Sequence, residues 1–383
     1  MRLKTFLFVT FFLLFPLAGC SITPIGELPQ GGRQWTIMVY MAADNDLAGE
    51  AFKDLQSMER VGSTTDVTVL VELDTPSGAT RYLVGRGGST VLQHLGSVDS
   101  GDPGTLLRFI RFARERYPAR HYALILWNHG SGVKSVRRDI AFDFTTQSAI
   151  TLPGLKNALA LSGVSFDLLG MDACFMQMVE VAYEVRNFAR VLVSSQESVP
   201  GEGWDYETIL RALTGNPAMH VFDLARLIVE SYVAYYQRYG VRSRYTLSAV
   251  DLARIDALAR ALDDLALAIL NDLQTPPWVY LTLGDSALYF EDPDFVDLGD
   301  LVRLLASDSR VHPEVQQRAN AVVQHLATCV LSSGSLGGSS GIIEASGLSI
   351  YFPYMAYVRK YGDLAFASAT HWDELVQYLA QWR

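Results

Sequence analysis

Two side chains in this sequence can perform nucleophilic chemistry together if the fold brings them close. His129 follows the apolar run HYALILWN, and Cys174 follows FDLLGMDA, so each sits just past what reads as a buried strand. A thiol is a poor nucleophile until it loses its proton, and an imidazole within reach supplies the base or the stabilising cation. In an open α/β sheet the ligand crevice lies beyond the carboxyl ends of the strands, so both groups emerge at one edge if their strands are neighbours. Taken alone, a strand-end histidine serves more often as a turn or surface residue. Here Gly130 and Gly132 let the backbone turn tightly beside the imidazole, so the N–H of Gly130 can face a carbonyl oxygen. Together with the N–H of Cys174 it can form an oxyanion hole. The chemistry expected is acyl transfer. The Cys174 thiolate attacks a carbonyl carbon, the two amides hold the oxyanion, His129 protonates the leaving amine, and water hydrolyses the thioester. No step requires a metal or an organic cofactor.

The surrounding pattern supplies the strands. WTIMVYMAAD (35–44) is a nearly continuous apolar run, as expected of a strand covered on both faces, and DVTVLVELD (66–74) is a second, β-branched run. A helical period spans roughly 47–60, and RYLVGR (81–86) with TVLQHLG (90–96) predicts a hairpin. Residues 102–117, with Pro103 in the first turn, read as a helix, as do 152–163, closed by Gly163. A helix from about Phe175 to Val185 then links the Cys174 strand to RVLVSSQE (190–197). Strand, helix, strand at this spacing is the βαβ unit, so the expected fold is a mostly parallel sheet sandwiched between helices. Residues 205–330 read as mainly helical, with a short strand at 244–251 and helices near 296–308 and 312–330. SSGSLGGSSG (332–341) reads as a surface loop, followed by a strand at 347–353 and an amphipathic terminal helix.

Arg2 and Lys4 precede the apolar run FLFVTFFLLFPLAG, which stops at Cys20. A short positive end before an apolar stretch of this length is a secretory signal. LAGC (17–20) resembles the bacterial lipoprotein cleavage box, which implies lipid on the Cys20 thiol and cleavage before it. Two or three acyl chains on one residue give stable anchoring. The chain then divides into a signal peptide (1–19), a lipidated tether (20–34) and a globular part (35–383). The expected location is the cell envelope, lipid-anchored and outside the cytoplasm; Ser21, which is not Asp, permits the outer membrane where the host has one. The formal net charge of −10, concentrated by loss of Arg2 and Lys4 with the leader, argues against a nucleic-acid role. Cys174 and Cys329 are the cysteines left after Cys20; two make no disulfide framework, and Cys329 reads as a small buried hydrophobe.

Five segments carry a wider resemblance: VYMAADNDL (39–47), NHGSG (128–132), DACFM with VEVAYE (172–184), SSQESVPGEGWDY (194–206) and GLSIYFP (347–353). Collinear in this order, they resemble the clostripain family of cysteine peptidases. That resemblance implies a caspase-like three-layer sandwich and hydrolysis of peptide bonds after Arg or Lys. It matches the catalytic histidine to His129, the nucleophile to Cys174 and the aspartate that receives the basic side chain to Asp172. It also implies that the loop near Trp204 and Asp205 helps to line the substrate cleft. Ser131 departs from the family's usual second glycine without removing a catalytic group. The residue types agree. Asp172 lies two residues before Cys174, where strand alternation puts both on one side, and a carboxylate pairs well with guanidinium or ammonium. Asp172 could instead cap the following helix. No third member of a triad is nominated.

Two further implications follow from the resemblance. Members mature by internal cleavage between histidine and cysteine, and VKSVRRD (133–139) offers Lys134, Arg137 and Arg138 to a basic-specific pocket. Some members need calcium; EDPD (291–294) and DLGD (297–300) are acidic enough to bind it but lack EF-hand spacing, and read better as solvated loops. The expected partners are peptides with Arg or Lys at the cleaved position, and a bilayer through Cys20. The alternative reading keeps the fold without catalysis: a lipid-anchored protein that binds basic peptides.

Overall fold

The computed structural model describes residues 32–133, 139–241, 243–336, 344–354 and 356–383. Cys20 with the leader, and Lys134, Arg137 and Arg138, lie outside the described residues. The chain runs β1 (Trp35–Ala42), α1 (Ala48–Glu59), β2 (Val67–Asp74), β3 (Ala79–Leu83), β4 (Thr90–Gly96), α2 (Pro103–Arg116) and β5 (His121–Trp127). It continues through β6 (Ile140–Asp143), β7 (Ser148–Ile150), α3 (Leu152–Ser162), β8 (Phe166–Asp172), α4 (Val179–Val185), β9 (Ala189–Ser194), α5 (Tyr206–Gly215), α6 (Val221–Tyr239) and β10 (Tyr245–Asp251). The last part holds α7 (Ile255–Leu270), α8 (Pro277–Ser286), β11 (Phe295–Asp297), α9 (Leu298–Ser307), α10 (Pro313–Cys329), β12 (Val330–Leu336), β13 (Ser349–Tyr351), α11 (Ala365–Ala369) and α12 (Trp372–Ala380).

Nine strands form one sheet in the order β12-β10-β9-β8-β5-β1-β2-β3-β4. Its five central strands, β9-β8-β5-β1-β2, are parallel, and both edges are antiparallel. The sheet is therefore mixed, with the expected parallel core. β1 shows why its sequence has no polar face. Ile37, Val39 and Met41 join a core with α1, α5 and α6, while Met38, Tyr40 and Ala42 face the opposite core with α2, α3 and α4. Strands buried on both faces read as unbroken apolar runs because helices cover both sides.

Two expectations are corrected. The segment after Cys174 is not helical until Val179: Phe175 has φ +59°, Phe175 N–H donates to Glu197 O and Gln177 N–H to Ser195 O. Those bonds strap residues 175–177 to the exit of β9 instead of winding them into a helix. The first half of the Gly/Ser-rich stretch is a strand, β12, hydrogen-bonded along β10 at the sheet edge. Its small residues fit close beneath α6, where a methyl group at Gly334 would lie 2.4 Å from Val233 Cγ2.

Candidate functional site

The β5 and β8 strands are parallel neighbours, with Trp127 opposite Asp172. His129 and Cys174 each lie two residues further on, so register alone delivers them to one edge of the sheet. Two asparagines fix the turns there. Asn128 Nδ2 donates to Ala42 O and to Phe142 O, and its Oδ1 accepts from Phe142 N–H at 2.9 Å. Asn45 Nδ2 donates to the same two carbonyls at 3.0 and 2.8 Å, and its Oδ1 accepts from Leu47 N–H at 2.9 Å. Both satisfy backbone groups that have left the sheet ladder, which must find partners when buried.

A cavity of about 250 Å³ opens at this edge, lined among others by His129, Cys174, Asp172, Val199 and Gly203. The Nε2–H of His129 donates to Asp46 Oδ1 at 2.9 Å. Asp46 sits in the loop after β1, the strand beside β5, and this bond holds its carboxyl below the usual range. Sequence reasoning missed it; the signal was its place in the loop leaving β1, four residues past the strand end. The Cys174 sulfur accepts from Val199 N–H at 3.2 Å. Burial pushes the thiol up, while that N–H and the Ser198 hydroxyl draw it down. A donor aimed at sulfur stabilises thiolate over thiol.

Gly130 packs directly on the nucleophile's backbone, where a methyl group would lie 2.3 Å from Cys174 O. Gly130 bridges Ile140, but the hydrogen bond beside that bridge runs from Ser131 N–H to Asp139 O at 3.0 Å. Among the described residues the Gly130 N–H has no acceptor, so it can serve an incoming oxyanion.

Asp172 is 4% exposed. Its Oδ2 accepts from Trp204 N–H at 3.0 Å and from the Tyr206 hydroxyl at 2.9 Å, while its Oδ1 has no partner among the described residues. Burial, offset in part by those two bonds, pushes its carboxyl up to about 7. It does not cap α4. Gly203, at φ +59°, lets the next chain segment pass Asp172, since a methyl group there would lie 2.8 Å from Oδ2. Asp54 stands behind the same glycine and accepts from Trp127 Nε1 at 2.8 Å.

Trp204 and Asp205 stand outside the lining of this cavity. The Trp204 ring is buried against Gly170, its backbone supports Asp172, and Asp205 caps α5 by accepting from Thr208 N–H at 3.1 Å. Both border a neighbouring cavity of about 330 Å³. The acidic stretches near 291–300 spend oxygens on the chain itself. Asp294 accepts from Tyr354 N–H, Asp297 from Asp300 N–H, Ser346 N–H and Gln196, and Asp300 from Leu288 N–H. Cys329 is fully buried and unpaired, as expected of a small hydrophobe.

A family model described as the clostripain family matches residues 39–382. Clostripain of Hathewaya histolytica is 27% identical to this chain, over 83% of its length and 74% of its own. A secreted C11 cysteine protease from Bacteroides thetaiotaomicron, solved with an irreversible peptide inhibitor, superposes with TM-score 0.71 at 23% identity, covering 89% of this chain and 99% of that one. An inactive zymogen C11 protease from Parabacteroides distasonis gives 0.70 at 22%, covering 88% and 98%. The structural likeness establishes the caspase-like α/β fold, with its mixed central sheet and C-terminal helices. The family match extends over nearly all of the described residues, and this chain belongs to the clostripain family of cysteine peptidases.

Proposed function

We propose that the chain is an endopeptidase that cleaves after Arg or Lys, with Cys174 as nucleophile, His129 as its acid and base, and Asp172 at the floor of the specificity pocket. The observation that carries this reading is the unpartnered Asp172 Oδ1, shut off from solvent on a residue that lines the same cavity as His129 and Cys174. A buried carboxylate oxygen with no donor is costly, and a guanidinium or ammonium arriving there supplies what is missing. The scissile carbonyl then lies against Cys174. Its oxygen, as charge develops, takes the N–H groups of Gly130 and Cys174, and the Val199 N–H stabilises the thiolate before attack. Asp46 is a positioning residue that holds His129 by Nε2. Because Asp46 is exposed, Asp46→Asn is expected to lower kcat/KM only about tenfold and to shift its acid limb, leaving KM nearly unchanged. A pH–rate profile identical to the parent's would remove Asp46 from the mechanism.

The zymogen form of the Parabacteroides relative supports maturation by cleavage at Lys134, Arg137 or Arg138. The secreted Bacteroides relative supports a location outside the cytoplasm, to which the leader and Cys20 add lipid anchoring, in the outer membrane where there is one. Among the described residues no helix is long and apolar enough to cross a membrane.

The test is a set of fluorogenic peptides differing only at the scissile residue, with Arg, Lys, citrulline and Leu, alongside an Arg-directed electrophile mapped by mass spectrometry. Cleavage after Arg and Lys, at least about 10²-fold better than after citrulline or Leu, with label on Cys174, is expected. Preference for Leu would sink the Asp172 assignment. Label on another residue would sink the nucleophile, and neither cleavage nor label would favour the peptide-binding alternative.

A further inference from the structure

Ser198 stands between the nucleophile and a carboxyl that the proposed reaction leaves unused. Its hydroxyl donates to Glu291 Oε2, and the same hydroxyl lies within hydrogen-bonding reach of the Cys174 sulfur, which Val199 N–H already serves. Two other segments clamp Glu291 in place. The buried Glu197 accepts from Ser198 N–H at 3.0 Å and from Glu291 N–H at 2.8 Å, and its other oxygen lies 3.0 Å from Arg244 Nε. Arg244 in turn donates to Tyr289 O. Among the described residues the Glu291 carboxyl forms no ion pair and accepts from Ser198 alone.

That carboxyl borders a cavity of about 480 Å³ whose walls include Tyr289, Phe352, Tyr354 and Asp285. Tyr289 and Tyr354 are 50% and 48% exposed, so both rings offer surface to a ligand. One wall already shows what this lining holds. Arg383 forks onto Asp285 at 2.8 and 3.2 Å, its Cζ lies 5.3 Å from the Tyr354 ring centre, and its side chain is only 15% exposed. A carboxylate beside a tyrosine ring holds a guanidinium by ion pairing and cation–π attraction together. Glu291 and Tyr289 line the same cavity with the same two groups and, among the described residues, carry no cation.

We propose that this cavity receives a second basic side chain of the peptide substrate, with Glu291 as its counter-ion, and that the pairing turns the Ser198 hydroxyl from Glu291 to Cys174. The binding of substrate rests on the peptidase reading, whereas the Ser198 coupling holds for the thiol in any role. A hydroxyl has one proton and cannot donate to both acceptors. With Glu291 ionised and unpaired, the proton goes to the carboxylate, and the nearby charge leaves the thiol harder to ionise. Once a cation neutralises Glu291, the thiolate is the stronger acceptor, and rotation about one bond delivers the proton to sulfur. Cys174 then has a second donor beside Val199 N–H when a doubly basic substrate is in place. Ser198 is thus a positioning residue and Glu291 a specificity residue.

The first measurement is alkylation of Cys174 in the full chain by iodoacetamide, an uncharged reagent, with the site confirmed by mass spectrometry and the rate followed against pH. Glu291→Gln is expected to lower the midpoint by about one unit. Around Glu291 stand Glu197 with Arg244, Asp285 with Arg383, and Asp292; around Cys174 stand His129, Asp172 and Tyr232. All of these are common to parent and variant, so the difference reads the one carboxyl. With Ser198→Ala added, the shift should shrink to less than about half, because the hydroxyl that carried it is gone. An unchanged midpoint in Glu291→Gln, or the same shift with and without Ser198, would overturn the coupling. The second measurement uses peptides cleaved after Arg, with Lys, norleucine or Phe placed in turn at each flanking position. At one position Lys should raise kcat/KM about tenfold over norleucine. In Glu291→Gln that gain should vanish while kcat on the norleucine peptide rises. In Ser198→Ala the gain should survive in KM and be lost from kcat. No gain from Lys at any position, or a preference for norleucine or Phe that Glu291→Gln leaves intact, would overturn the subsite. If no peptide is cut, the peptidase reading falls, and the alkylation midpoints still decide the coupling.

Discussion

Asp172→Asn is expected to cut cleavage after Arg and Lys by about 10²- to 10³-fold in kcat/KM, and at the same time to make the protein more stable. The first effect follows from removing one partner of a desolvated charge pair, which costs about 2–5 kcal/mol because the incoming cation is left without its counter-charge. The second follows from Asp172 in the absence of substrate. Its carboxyl is pushed up to about 7, chiefly by burial, whereas in the unfolded chain it titrates near about 4. Between those values the unfolded state has lost the proton and the folded state retains it, so stability falls as pH rises through that window and stays lower above it. Three units correspond to at most about 4 kcal/mol. Asparagine cannot ionise, and its oxygen can still accept from Trp204 N–H and the Tyr206 hydroxyl. The stability gain of Asp172→Asn should therefore be absent near pH 4, grow towards pH 7 and level off beyond. Urea denaturation at pH 4, 6 and 8 reads it; a loss of stability at pH 8 would show that Asp172 is structural and not a charge held in waiting.

The same titration governs ligand binding. Benzamidine, a cation that engages the pocket without chemistry, should bind about tenfold more weakly per unit as pH falls below about 7, because the carboxyl must first lose its proton. Above 7 the affinity should level off. In Asp172→Asn the pH dependence should vanish together with most of the affinity. A flat profile in the parent protein would place the cation elsewhere.

The central sheet was legible because burial on both faces leaves a direct mark: 35–44 is a nearly continuous apolar run and became a central strand, and the β-branched run at 66–74 became its parallel neighbour. The convergence of His129 and Cys174 needed only that their strands be neighbours, which they are. What escaped was set by contacts between distant segments. Asp46 is one acid among many in the sequence, and its meaning comes from β1 lying beside β5. The strand β12 was hidden because its Gly and Ser residues suit the space beneath α6, whereas composition alone reads as loop. The helix after Cys174 starts late because backbone bonds to Ser195 and Glu197 outcompete it. Ser198 and Glu291 stand 93 residues apart, and 291–294 alone reads as a solvated acidic loop. In each case a polar or small residue was read by its own neighbourhood in the chain, while its role was assigned across the sheet.

Gly130→Ala tests the closest of these cross-strand contacts. The added methyl would lie 2.3 Å from Cys174 O, 2.9 Å from Met176 Cγ and 3.1 Å from Ala173 Cβ. Met176 can rotate away, but the carbonyl is backbone, held on either side by Val199 N–H on the Cys174 sulfur and by the Phe175 N–H bond to Glu197 O. The turn bearing His129 must therefore move relative to Cys174. A displacement of about 1 Å between reacting groups is worth about 10² in rate, and the Gly130 N–H would leave its place beside the nascent oxyanion, at a further cost of about 10²-fold or more. Gly130→Ala should thus lose about 10³-fold or more in kcat, with KM for Arg peptides changed far less because Asp172 belongs to the β8 side of the contact. Its unfolding free energy should drop by the amount typical of overpacking, about 1–3 kcal/mol. A variant that unfolds outright would not separate the two costs, so binding of benzamidine is measured in parallel. Retained binding with lost turnover locates the damage between His129 and Cys174, whereas turnover near the parent's would mean that this approach of backbone to backbone is not what aligns the reacting pair.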